Sequence, residues 1–144
     1  MKRTIKILPL VVVVAALAGC SNAQSDAENA AVAFAKASTG EACSMYAGRD
    51  AESITQCEQA AATQNVQDQP YNEADYQDAP HVTKTQERGE GYAVLVESTK
   101  KDGTVAREVI GVVPEGDSWK VDESMSMDNQ TNEDLCYYIG GDCK

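Results

Sequence analysis

Basic residues, histidine and large apolar side chains are all scarce in this 144-residue chain. Twelve Lys and Arg stand against 23 Asp and Glu, a net charge of −11. Nucleic acids and anionic lipid headgroups are recognised by clusters of Lys and Arg, so this surface repels both. The sole histidine, His81, leaves no imidazole-rich metal site and one candidate for imidazole acid–base chemistry. No Cys-x-x-Cys pair exists, which removes the dithiol redox motif. The longest apolar run, residues 7–18, has 12 residues. Crossing a hydrocarbon core takes roughly 20, so this run reads as a signal-peptide core and not as a membrane span.

What surrounds that run is informative. Lys2, Arg3 and Lys6 precede it, and Leu17-Ala18-Gly19-Cys20 closes it. The tetrapeptide resembles the lipobox of bacterial lipoproteins. The resemblance implies cleavage after residue 19, lipidation of Cys20, and a soluble domain held on the extracytoplasmic face of a membrane. The plainer alternative is a signal peptide whose cleavage site happens to contain Cys. One acyl chain anchors only marginally whereas two or more hold stably. Ser21, where inner-membrane retention would call for Asp, points to the outer membrane if the host has one.

Residues 20–144 then carry nine basic against 23 acidic residues, a charge of −14. Leu, Ile, Val and Phe supply only 16 of these 125 residues, a composition that borders on disorder. Two features oppose disorder: valines at strand spacing between 82 and 121, and four further cysteines. With Cys20 lipidated, Cys43, Cys57, Cys136 and Cys143 form an even set, as an oxidising compartment favours. Three pairings are open; the local closures Cys43–Cys57 and Cys136–Cys143 are favoured.

The chain divides into a signal peptide (1–19), a lipidated tether (20–25), a folded domain (26–123) and an acidic, disulfide-closed extension (124–144). Ser25-Asp26-Ala27-Glu28 has the pattern of a capping box and should open a helix with Ala27, Ala31, Phe34 and Ala35 on one face. Short helices are expected over 41–47 and 51–64, with Cys43 and Cys57 inward. Residues 66–80 read as a polar loop or irregular crossing, with a short strand as the alternative. Strands are expected over 81–87, 92–99, 104–113 (the longest) and 118–122. The Gly89-Glu90-Gly91 and Asp102-Gly103 turns separate the first three.

Helices followed by a meander resemble the NTF2-like (cystatin-like α+β) fold. The likeness lies in Ala31-Val32-Ala33-Phe34-Ala35, Ala42-Cys43-Ser44-Met45-Tyr46, Cys57 and Gly116-Asp117-Ser118-Trp119-Lys120-Val121. It implies an α+β class in which N-terminal helices pack on a curved antiparallel meander, a cone stapled by disulfide. The concave sheet of such a cone holds a ligand or partner, with Tyr46, Tyr92 and Trp119 as candidate pocket residues. Their plainer role is to fill the core.

The tail offers little chemistry. Asp128, Gln130 and Asn132 mimic the start of a calcium loop, but Glu133 stands where Gly is needed and Ile139 where Glu is needed. Met125 and Met127 present two thioethers, too few for a Cu(I) site and better suited to packing. No metal and no cofactor is expected.

Three functions follow in order. The first is a lipid-tethered, non-catalytic binding or accessory module for a small ligand. The second is a partner-protein role (inhibitor, immunity or envelope-complex factor) using the acidic surface and Tyr137-Tyr138. The third is a pocket enzyme of ketosteroid-isomerase or dehydratase type. That chemistry needs a buried acid or a His beside an oxyanion-stabilising Tyr, and only His81 is on offer.

Overall fold

The computed structural model describes residues 19–63 and 71–127, with side chains from residue 22. The chain runs α1 (Gly19–Lys36), α2 (Thr39–Ala42), a 3-10 turn (Cys43–Met45) and α3 (Ala51–Thr63). A second 3-10 turn (Glu73–Asp75) leads into β1 (Tyr76–Arg88), β2 (Gly91–Lys100), β3 (Val105–Glu115) and β4 (Ser118–Ser126). The strands form one antiparallel sheet in the order β1-β2-β3-β4. The α+β class is as expected: N-terminal helices on a four-stranded meander.

Helix α1 exists because small residues recur at helical spacing. Ala27 and Ala31 are wholly buried and Phe34 nearly so, which lets the helix lie close to the sheet. The helix is already formed at Gly19, so Ser25 lies inside it and does not cap it. Glu28, its expected capping partner, instead accepts a bond from Thr85 Oγ1 at 2.7 Å and so ties α1 to β1. The capping box forms at the next boundary. There the Ser38 hydroxyl accepts from the Glu41 amide and the Glu41 carboxylate accepts from the Ser38 amide. Such a cap contributes about 1 kcal/mol.

The inner face of the sheet carries Val94, Val96, Ile110, Val112 and Val121, closed over by Ala27, Ala31 and Phe34. The outer face is also apolar at its centre, where Ala93, Leu95, Val109 and Met127 form a second cluster. Residues 93–96 are therefore buried in succession, a strand covered on both faces rather than on one. Two glycines shape this region. A side chain at Gly91 would overlap the Val112 carbonyl, and one at Gly111 would occupy the place of the Arg88 guanidinium. Arg88 on β1 crosses above Gly111 to β4, donating to both carboxylate oxygens of Asp122 (2.8 and 2.7 Å) and pairing with Glu123.

Four details differ from the sequence-based expectation. The sheet is not strongly curled, so the cone is not formed. Strands β2 and β3 pair from Tyr92↔Val112 to Thr99↔Val105 without a register shift, and the irregularities fall on the flanking β1–β2 and β3–β4 ladders. Strand β1 begins at Tyr76, inside the expected loop, and with 13 residues it exceeds β3 in length. Pro80 is accommodated because β1 is an edge strand. The second short helix is one α-turn followed by a 3-10 turn. Strand β4 extends to Ser126, past the expected end of the domain's last strand.

Cys43 and Cys57 form a disulfide, Cα to Cα 5.8 Å, which joins the 3-10 turn to α3. The signal segment 1–18, Cys136, Cys143, Tyr137-Tyr138 and the calcium-loop mimic of 128–139 lie outside the described residues, as does the side chain of Cys20.

Candidate functional site

A cleft lies at the end of the sheet where the β2–β3 hairpin meets the approach to β1. Register places Tyr76 opposite Lys100, and the Lys101 amide donates to the Asp75 carbonyl at 3.0 Å. These contacts gather Tyr71, Asn72, Asp75, Tyr76, Lys100, Lys101 and Asp102 around a cleft of about 550 Å³. The Tyr71 and Tyr76 rings stand 5.2 Å apart with a tilt of 32°. From the end of α1, Lys36 Nζ sits 5.1 Å from the centre of the Tyr71 ring, a cation–π contact. Tyr76 and Lys100 also belong to a second cavity of about 220 Å³, whose walls include Ala35, Pro80, Val96 and Ala106.

Two ionisable groups here depart from their ordinary behaviour. Burial, aided by the charge of Glu73, pushes the Tyr71 phenol up, so it stays a donor through the physiological range. Its oxygen is closed off from solvent and has no hydrogen-bond partner among the described residues. Asp102 is held below the usual carboxylate range, mainly by the Thr104 amide, which donates to it at 2.9 Å, and also by Lys100. Chemically the cleft offers two ammonium groups, one bound carboxylate, one further carboxylate and an aromatic wall. Such groups engage charge and aromatic faces.

The residues singled out in the sequence are placed elsewhere. Tyr46, Tyr92 and Trp119 pack against the inner core. Tyr92 lies 5.5 Å from Trp119, and Tyr46 meets Phe34 edge-on at 5.3 Å. None of the three lines either cavity described above. The filling role accounts for them. His81 is exposed on β1, opposite Glu97, and its Nδ1 donates to the Ala79 carbonyl at 2.8 Å. Met127 is buried in the outer cluster while Met125 is exposed, so the two thioethers do not converge. Among the described residues no group of three or more His, Cys, Asp or Glu is placed to hold a metal ion.

Sequence reasoning passed over the cleft because its aromatics fall in a segment that reads as loop. The available signal was the recurrence of Tyr71 and Tyr76 there, together with the Lys100-Lys101 pair beside a hairpin glycine.

The disulfide suggests an oxidising, extracytoplasmic location. No helix among the described residues is long and apolar enough to cross a membrane. No family model, curated protein or solved structure matches the chain.

Proposed function

We propose that the chain is an extracytoplasmic lipoprotein, lipidated on Cys20, whose α+β domain is a non-catalytic binding module for a small ligand. The lipobox-like Leu17-Ala18-Gly19-Cys20 supports the anchor, and the disulfide agrees with the compartment. An NTF2-like affinity rests on the order of helices before meander. Because the sheet is not strongly curled, the binding site is assigned to the cleft at its end and not to a concave face. The observation that carries the reading is that cleft, where a tyrosine pair and two lysines converge on about 550 Å³. A cleft in which charged groups converge beside tyrosine rings offers a small ligand both ionic and ring contacts.

Two measurements test this. Replacing Cys20→Ala is expected to move the protein from the membrane pellet to the soluble fraction of its host; unchanged pelleting defeats the anchor. Native mass spectrometry of protein purified from the host is expected to find a bound small molecule, depleted at least tenfold in Tyr76→Ala. Recovery of a stoichiometric protein partner with no small molecule turns the assignment to the partner-protein role.

A further inference from the structure

The two cavities share Tyr76 and Lys100, and their remaining walls differ in character. One end presents Lys100 and Lys101; the other presents Ala35, Pro80, Val96 and Ala106. We propose that this groove binds an amphiphile with an oxyanion head, the head against Lys100 and Lys101 and a short alkyl chain over Ala35, Pro80 and Ala106. The proposal rests on the binding-module reading and names its ligand class.

Charge selects the head. Residues 20–144 carry −14 overall, with only nine basic side chains. Three of them, Lys36, Lys100 and Lys101, stand at this corner. Against them are Asp75 and Asp102, and the latter is already engaged by the Thr104 amide. With Glu73 acting on Tyr71 and Glu108 on the second cavity's wall, the corner is close to charge-balanced, while the surface as a whole is strongly acidic. Neither Lys100 nor Lys101 belongs to a salt bridge among the described residues, although Lys100 acts on Asp102 through space. A carboxylate or phosphate there gains charge-assisted bonds, whereas a cation meets repulsion. The rest of the surface disfavours the same anion, which confines it to this groove.

Size and polarity select the tail. About 220 Å³ holds a chain of roughly seven heavy atoms at about 30 Å³ apiece. Its floor reaches Val96, a residue of the inner core, so the methylenes leave water as they enter. Each methylene buried raises affinity about fourfold. Ser98 and Glu108 at the rim keep the far end polar, which limits chain length.

The test uses the full chain carrying Cys20→Ala, soluble without detergent, titrated by amide NMR. Hexanoate, octanoate and octyl phosphate are the anionic probes and octanol is the neutral control, all below micelle formation. Saturable shifts are expected at Tyr76, Lys100, Lys101 and Ala106 with either anion. Octanoate should bind roughly 15-fold more tightly than hexanoate and at least tenfold more tightly than octanol. The double variant Lys100→Ala, Lys101→Ala should lose at least tenfold for octanoate and leave octanol unchanged. A preference for octyl phosphate or for octanoate identifies the head. Absence of saturable shifts with both anions, or octanol binding as well as octanoate, overturns the proposal. If host-purified protein carries a neutral or cationic molecule, the binding module stands and the anionic class falls. If no ligand is found in either experiment, both fall.

Discussion

Gly91→Ala is expected to lower the unfolding free energy by more than about 3 kcal/mol, among the larger losses a point substitution causes. Gly91 opens β2, opposite Arg88, and its α-carbon lies against the backbone of β3. An added Cβ would overlap the Val112 carbonyl oxygen and lie 3.0 and 3.1 Å from the Val112 carbonyl carbon and Val113 Cα. None of those atoms is the end of a flexible side chain. Relief requires β2 and β3 to separate where Tyr92 pairs with Val112, and Val112 belongs to the inner core. Gly111→Ala is the control. Its Cβ would meet the ends of the Arg88, Asp122 and Glu123 side chains, which can swing aside. That change should cost only about 1 kcal/mol, the value of exposed charge pairs disturbed. Urea melts of the two variants measure the contrast. Equal, small losses would show that β2 and β3 are not held at this spacing.

Removing the Cys43–Cys57 disulfide is expected to cost about 3 kcal/mol, the loop-entropy value for a closure of about 15 residues. Against a total stability of roughly 5–15 kcal/mol for a small domain, this is a large fraction. The loss has a location. Helix α3 has no buried residue and makes its main contacts with α2 and the 3-10 turn. A 13-residue helix whose apolar residues, Ile54, Cys57 and Ala61, are only half-buried is marginal in water. Its Asp50 cap, bonded to the Ser53 amide at 2.8 Å, does not by itself change that. Reduction should therefore release 51–63 first. Hydrogen exchange in the paired variant Cys43→Ser, Cys57→Ser should accelerate across α3 by at least tenfold. Exchange in residues 93–96 should change far less, because those amides lie in the centre of the sheet. Uniform acceleration of both regions would refute the local attachment.

The readable parts of this fold are those in which one local signal has one structural meaning. Val94 and Val96 alternate with their neighbours, turn residues bracket each hairpin, and β2 and β3 lie within about two residues of their expected ends. The pairing of Cys43 with Cys57 was legible because both fall on short helical segments close in sequence. The misread parts are those in which tertiary contact overrode local pattern. Residues 76–80 are polar and contain a proline, yet they form a strand because the edge position asks for hydrogen bonds on one side only. The buried outer cluster was hidden because Ala93 and Leu95 interleave with Val94 and Val96, and alternation then loses its contrast. The candidate site depended on the first of these. Tyr76 is placed by the misread strand, and Lys100 faces it only through the register of β1 on β2.

The sheet order has a consequence for how the molecule assembles. Each strand pairs only with its neighbour in sequence, so the hairpins close short loops and form on a timescale of about microseconds. The disulfide-closed corner is equally local. Helix α1 is the exception, since Ala27, Ala31 and Phe34 share a core with Val121 at the far end of the chain. Its packing face has no complete partner until β4 is in place. The docking of α1 is thus the most non-local packing among these elements, the kind of contact that slows folding.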